Sequence, residues 1–146
     1  DVSATNDGIV TMFGGAVGAL SAGDGGIVSI ESGTIATAAI QSSGTLNVSG
    51  NAGVGQVALF GGVVDQVGGT VGDDVSLFFG SRYNLTGGTV GDGFQASGGS
   101  FVNIYGASFV LDGVDLTPGL TPGAGFTIDS RDVTLEGILT DGSSFS

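Results

Sequence analysis

The sequence predicts an all-β fold, a parallel β-solenoid with coils of 18–19 residues, and three observations carry the prediction. The first is a recurring eight-residue phrase, seen as Tyr83-Asn-Leu-Thr-Gly-Gly-Thr-Val90 and again as Val64-Asp-Gln-Val-Gly-Gly-Thr-Val71. Its copies start at residues 10, 28, 46, 64, 83 and 102, so the steps are 18, 18, 18, 19 and 19. A fixed period of this size is the signature of stacked supersecondary units. The second observation is alternation: the first and third positions of each phrase are apolar and the second polar, as in a half-buried strand. The third is composition. Glycine supplies 31 of 146 residues, roughly three times its usual share, and that suits short strands between tight turns while each helical position would cost about 1 kcal/mol.

Residues 1–9 are polar and show no helical period, so they are read as either a frayed terminus or an ordered strand. From 10 to 109 the repeat is unbroken. The paired small residues inside each phrase, such as Gly68-Gly69 and Gly87-Gly88, mark a turn where a positive φ is cheap. A second alternating segment follows, seen as Val57-Ala-Leu59, Val75-Ser-Leu77 and Phe94-Gln-Ala96, and it closes at Gly61, Gly80 and Gly99.

No single period can bury its apolar face alone, but stacked periods can, with like positions one strand spacing apart, roughly 4.8 Å. Val17, Ile35, Val54, Val71, Val90 and Phe109 then form one inward column. Met12, Ile30, Val48, Leu85 and Ile104 form another, with Gln66 as its polar intruder. A polar column of Thr11, Ser29, Asn47, Asp65, Asn84 and Asn103 runs between them and is suited to hydrogen bonding from coil to coil. The residue that lengthens the later coils is expected at Gly72-Asp73-Asp74 and Gly91-Asp92-Gly93. Residues 110–146 lose the period, carry Pro118 and Pro122, and read as a cap or docking segment of short strands. Terminal repeats are commonly atypical because they must cover the open end of the core.

Charge narrows the partners. Arg82 and Arg131 face twelve Asp and two Glu, for a net charge of −12 with no lysine. That balance argues against nucleic acid and anionic membrane and leaves cations, proteins and neutral glycans. Without cysteine there is no disulfide framework or thiolate metal site. Without histidine the commonest general base is missing. No apolar run approaches the roughly 18 residues of a membrane helix. With no basic start before an apolar stretch, the chain is expected to be a processed or excised piece of an extracellular protein.

The run Leu85-Thr-Gly-Gly-Thr-Val-Gly-Asp-Gly-Phe-Gln-Ala-Ser-Gly-Gly-Ser-Phe-Val-Asn-Ile-Tyr-Gly106 resembles the tandem repeat of secreted β-helical proteins of environmental bacteria, which often end in a PEP-C-terminal sorting tail. The segment from Val110 through Gly119, with Arg131 through Gly142 after it, resembles the block that closes those solenoids. The resemblance spans about residues 62–146 well and the N-terminal half loosely. It implies secretion and a repetitive surface or matrix structure, and no established reaction.

Candidate chemistry is sparse. Gly53-Val-Gly-Gln-Val-Ala58 and Gly91-Asp-Gly-Phe-Gln-Ala96 match a dinucleotide fingerprint, but that fingerprint needs a helix to open after the turn, and none is readable. Asn47 and Asn84 begin glycosylation sequons and also share the polar column, which explains them more simply. Asp73, Asp74 and Asp92 should gather on one coil edge, because Asp73 and Asp92 stand one period apart. In solvated glycine turns without an apolar pocket they make a poor glycosidase pair. They are the candidate metal ligands, and Ca²⁺ the candidate cofactor, since stacked carboxylates repel and a hard cation would relieve them. Phe60, Phe78, Phe79, Phe94 and Phe101 are expected to fill the core or cover a face.

These readings add up to a non-enzymatic extracellular structural protein that associates with itself head to tail. Residues 1–20 of one copy are expected to meet 110–146 of the next. The alternative is a binding module for glycan, calcium-dependent adhesion or an ice surface that presents a flat ladder face, motivated by the hydroxyl column Thr34, Thr70, Thr89 and Ser108 that Ala16 and Gly53 interrupt. A polysaccharide-active enzyme is the least supported reading.

Overall fold

The computed structural model describes residues 1–72, 74–91, 93–121, 123–128 and 133–146. It is a β-solenoid. Strands β1 (Val2–Ala4), β2 (Ile9–Ala22), β3 (Ile27–Gln41), β4 (Thr45–Phe60), β5 (Val63–Val71), β7 (Arg82–Val90) and β9 (Phe101–Ile104) stack in that order, all parallel. Strands β6 (Val75–Phe78) and β8 (Phe94–Ala96) continue the stack beside β4. β2, β3 and β4 each wrap a coil as one bent strand. Later coils split the same path between β5 and β6, then between β7 and β8.

The pairing follows the phrases. Val10, Val28, Leu46, Val64, Tyr83 and Val102 stand in register, one per coil. So do Met12, Ile30, Val48, Gln66, Leu85 and Ile104. These inward positions make the first side of each coil. The second side contributes Val17, Ile35, Val54, Val71 and Val90. The third contributes two columns, Val2-Leu20-Ala38-Val57-Val75-Phe94 and Ala4-Ala22-Ile40-Leu59-Leu77-Ala96. The columns meet inside the coil as one core. Each fully buried Val, Leu or Ile contributes about 1.5–3 kcal/mol.

Residues 1–9 hold an ordered strand, and β1 pairs with the end of β2 through Val2, Ser3 and Ala4. The third side therefore begins one coil earlier than the first.

Between the first and second sides the chain turns at a glycine. Gly88 has φ +86°, and a Cβ there would overlap the Gly69 carbonyl of the coil before. Both the backbone conformation and the close approach require glycine.

The added residue of the longer coils lies where the spacing put it. Val17 to Leu20 and Ile35 to Ala38 are three-residue steps, whereas Val71 to Val75 takes four. The third coil is more unusual. It holds one extra residue between Val48 and Val54 and loses one in the turn between Phe60 and Val63, so its length stays at 18.

Gln66 is fully buried in the core, where an unpaired amide would be costly. It is paired. The Tyr83 hydroxyl donates to Gln66 Oε1 at 2.5 Å, and Gln66 Nε2 donates to the Thr89 carbonyl at 3.0 Å. Tyr83 is itself in the inward column of the next coil, which is why an aromatic phenol stands where the other phrases have Val or Leu.

One column is shorter than expected. Phe109 does not continue the second side, because the parallel stack ends at β9 and the chain turns outward into β10 (Gly106–Leu111). There Phe109 pairs antiparallel with Gly137. Ser108 pairs with Ile138 and so also leaves the position it would hold in the hydroxyl column. β10 lies between β11 (Val114–Asp115) and β12 (Leu135–Leu139), and β13 (Ser144–Phe145) completes an antiparallel sheet ordered β11-β10-β12-β13. A short 3-10 turn, Thr117–Gly119, carries Pro118 at its start.

This C-terminal sheet is fastened to the solenoid by the turn between β12 and β13. Gly88 N–H donates to Asp141 Oδ2 at 2.8 Å, and Thr140 Oγ1 donates to the Thr86 carbonyl at 2.6 Å. Ser143 Oγ lies 2.9 Å from the Gly88 carbonyl and 2.5 Å from Asp141 Oδ1. Leu139 is buried beneath, and Phe145 packs against Phe109 at 6.0 Å between ring centres. The turn thus meets the corner between the first and second sides, where it satisfies backbone groups of Thr86 and Gly88 in β7.

Candidate functional site

The solenoid offers three kinds of surface: polar ladders on its sides, an aromatic corner, and two ends. The polar ladder on the first side follows from strand alternation, since residues between two inward positions must face out. Asn47 Nδ2 donates to Ser29 Oγ at 3.1 Å, Asn84 Nδ2 to Asp65 Oδ1 at 2.6 Å, and Asn103 Nδ2 to Asn84 Oδ1 at 2.8 Å. The two sequon asparagines are therefore rungs of this ladder. The hydroxyl column that motivated a flat binding face contracts to one direct pair, Thr89 Oγ1 to Thr70 Oγ1 at 3.1 Å. Gly53 separates that pair from Thr34 in the register.

Of the three proposed calcium ligands, Asp73 and Asp92 lie outside the described residues. Asp74 sits at φ +70° in an exposed corner, and its carboxylate accepts from Gln56 Nε2 at 3.3 Å. Among the described residues no group of three His, Cys, Asp or Glu side chains is placed to hold a metal ion. The two dinucleotide-like matches run into extended backbone, Gly53 to Ala58 within β4 and Phe94 to Ala96 as β8. Neither supplies the helix N-terminus that a pyrophosphate needs.

The groups with displaced titration have structural partners. Asp141 is held below the usual carboxylate range first by the Ser143 hydroxyl, then by the N–H groups of Ser143 and Gly88. Asp115 is lowered by the Thr117 hydroxyl and N–H. Burial pushes the Tyr83 phenol far up. A shallow groove follows the outer third side, and among the residues that line it are Ala19, Ser21, Thr37, Ala39, Ala58 and Ser76, small side chains all.

The phenylalanines divide. Phe94 meets Tyr83 edge-on at 5.0 Å and packs against the core, as expected. Phe60 and Phe78 stack at 5.3 Å on the outer corner after the third side, with Phe79 exposed beside them at φ +57°. Phe101 is exposed at the lower end of the first side.

The ends are defined by what stops. Above the first and second sides, the edge of β2 from Ile9 to Val17 has no partner among the described residues, because β1 covers only Leu20 to Ala22. At the other end, β8 and β9 pair only with the coil above them among the described residues. Large apolar side chains stand beside the ladder at both ends: Ile9 and Phe13 in the first coil, Phe101 and Tyr105 in the last. The signal for Ile9, Phe13 and Tyr105 lay in non-inward positions beside or within the first and last phrases, which the inward periodicity does not single out.

No protein-family model, curated protein or solved structure matches the chain.

Proposed function

We propose that this chain is a non-enzymatic extracellular structural module, a β-solenoid that joins copies of itself end to end into a filament or a surface or matrix layer. The supporting observation is the loss of burial toward both ends of the inward columns. On the first side Val28, Leu46, Val64 and Tyr83 are fully buried, while Val10 and Val102 are only partly covered. The column of Ile30, Val48 and Leu85 behaves alike, with Met12 and Ile104 half-open at its ends. An open apolar column beside a row of unpaired N–H and C=O groups is a template for strand addition. The two ends differ, so the contact is heterologous, and such contacts propagate when the rotation does not close.

The net charge of −12 without lysine suits a hydrated extracellular assembly more than a nucleic-acid or membrane partner. The test is negative-stain microscopy with light scattering over a concentration series. The expected result is particles that lengthen with concentration in steps of one chain. A chain that stays monomeric at high concentration overturns the reading.

A further inference from the structure

Resting on the end-to-end reading, we infer that the second copy docks in one register: its β1 and the start of its β2 continue the ladders below β8 and β9, with Thr11 of one copy beneath Asn103 of the other. Three independent features of the two ends agree on this register.

The inward columns match in size. Val10 of the incoming copy falls under Val102, Met12 under Ile104, Val2 under Phe94 and Ala4 under Ala96. Each of these pairs occupies the ends of one column that is continuous through the chain. A shift of one residue would turn every apolar side chain outward.

The polar ladder has a direction. In each of its three amide rungs the later coil donates to an oxygen of the coil before. Asn103 Nδ2 is used in the last rung, and its Oδ1 has no partner among the described hydrogen bonds and can accept. The column starts at Thr11, whose hydroxyl can donate. On the third side Ser21 Oγ donates to Ser3 Oγ at 3.0 Å in the same sense, which places Ser3 under Gln95 of the neighbouring copy, an amide able to accept.

The exposed apolar side chains also coincide. Ile9 is 72% exposed and Phe101 58%, and they are the two ends of a single outward column. Phe13, 70% exposed, follows Met12 just as Tyr105, 51% exposed, follows Ile104. In the proposed register Ile9 stands directly below Phe101, the relationship that already stacks Phe60 on Phe78, and Phe13 falls one coil away at the same corner as Tyr105. Leu120 and residues 123–126 line a pocket with residues 102–106 at the lower end, and none of the described backbone hydrogen bonds joins the two segments. The pocket is where Met12, a flexible gap-filling side chain, enters.

The experiment is disulfide trapping with Thr11→Cys/Asn103→Cys, in a chain that has no other cysteine. Neighbouring Cα atoms in a parallel ladder lie about 4.8 Å apart, within disulfide reach. Within one chain the two positions are separated by five coils, about 24 Å, so a bond between them joins two molecules. Both side chains face outward on the first side, and circular dichroism confirms that the variant is folded before oxidation. The expected result is a reducible ladder of covalent multimers from the double variant, and dimers only from an equimolar mixture of the two single variants. Particles that grow by light scattering without forming this bond overturn the register and leave end-to-end assembly standing. A chain that neither grows nor cross-links overturns both. As a second measurement, Phe13→Ser/Tyr105→Ser is expected to raise the concentration needed for assembly by about tenfold, and an unchanged threshold counts against the register.

Discussion

The Tyr83 hydroxyl donates to Gln66 Oε1 at 2.5 Å inside a core where both side chains are 0% exposed. The pair makes a polar position compatible with an otherwise apolar column, and it makes two residues in neighbouring coils depend on each other. Tyr83→Phe should cost about 1–3 kcal/mol by leaving the amide oxygen buried without a partner. Chemical denaturation measures this, and an unchanged midpoint would show that the bond contributes nothing.

The same phenol gives the protein an alkaline limit. Burial raises its folded pKa above the unfolded value of about 10. Its contribution is fully present below the unfolded pKa, and it is lost as pH rises and the unfolded phenol ionises. With no lysine, histidine or cysteine in the chain, stability should fall from about pH 10 upward, and Tyr83→Phe should flatten that slope. A slope that survives the substitution refutes the assignment.

At the C-terminal sheet, Asp141 predicts the opposite dependence. Hydrogen bonds from Ser143 and Gly88 lower its folded pKa, so its contribution is present above the ordinary carboxylate value and lost as pH falls through the folded one. Asp141→Ala should therefore make the attachment insensitive to acid. It should also speed hydrogen exchange at the Gly88 amide at neutral pH. Equal exchange in both proteins would mean that the carboxylate does not hold the turn.

Two glycines should respond in opposite senses. Gly88→Val meets both a φ of +86° and the Gly69 carbonyl, and is expected to cost a few kcal/mol, about 2–4. Gly18 has no positive φ, and a Cβ there would point into open space. Gly18→Ala should be neutral or stabilise by up to about 1 kcal/mol. Thermal melts that rank the two variants the other way would sink the account of the corner.

Removing residues 126–146 deletes the turn that pairs with Thr86 and Gly88 and uncovers another strand edge. The truncated chain is expected to aggregate without regular growth. Growth as regular as that proposed for the intact chain would show that the C-terminal sheet plays no part in shaping the end.

The solenoid was legible in the sequence because its contacts repeat. Val10, Val28, Leu46, Val64, Tyr83 and Val102 occupy equivalent register positions one coil apart, so six copies of one weak pattern reinforce each other. The Asn ladder and the longer step at Val71 to Val75 were readable for the same reason. Tertiary structure alone decided the contacts that occur once: the Tyr83–Gln66 bond, the turn of Phe109 out of its column, and Asp141 meeting Gly88 across 53 residues of chain. Phe109 fits the period as well as Val90 does, yet its strand pairs with β12 instead of extending the stack, and nothing in its phrase records that competition. The candidate end surfaces fall between these cases. Their residues stand in readable columns, but which edges stay unpaired depended on where β1 lies and where β10 turns away.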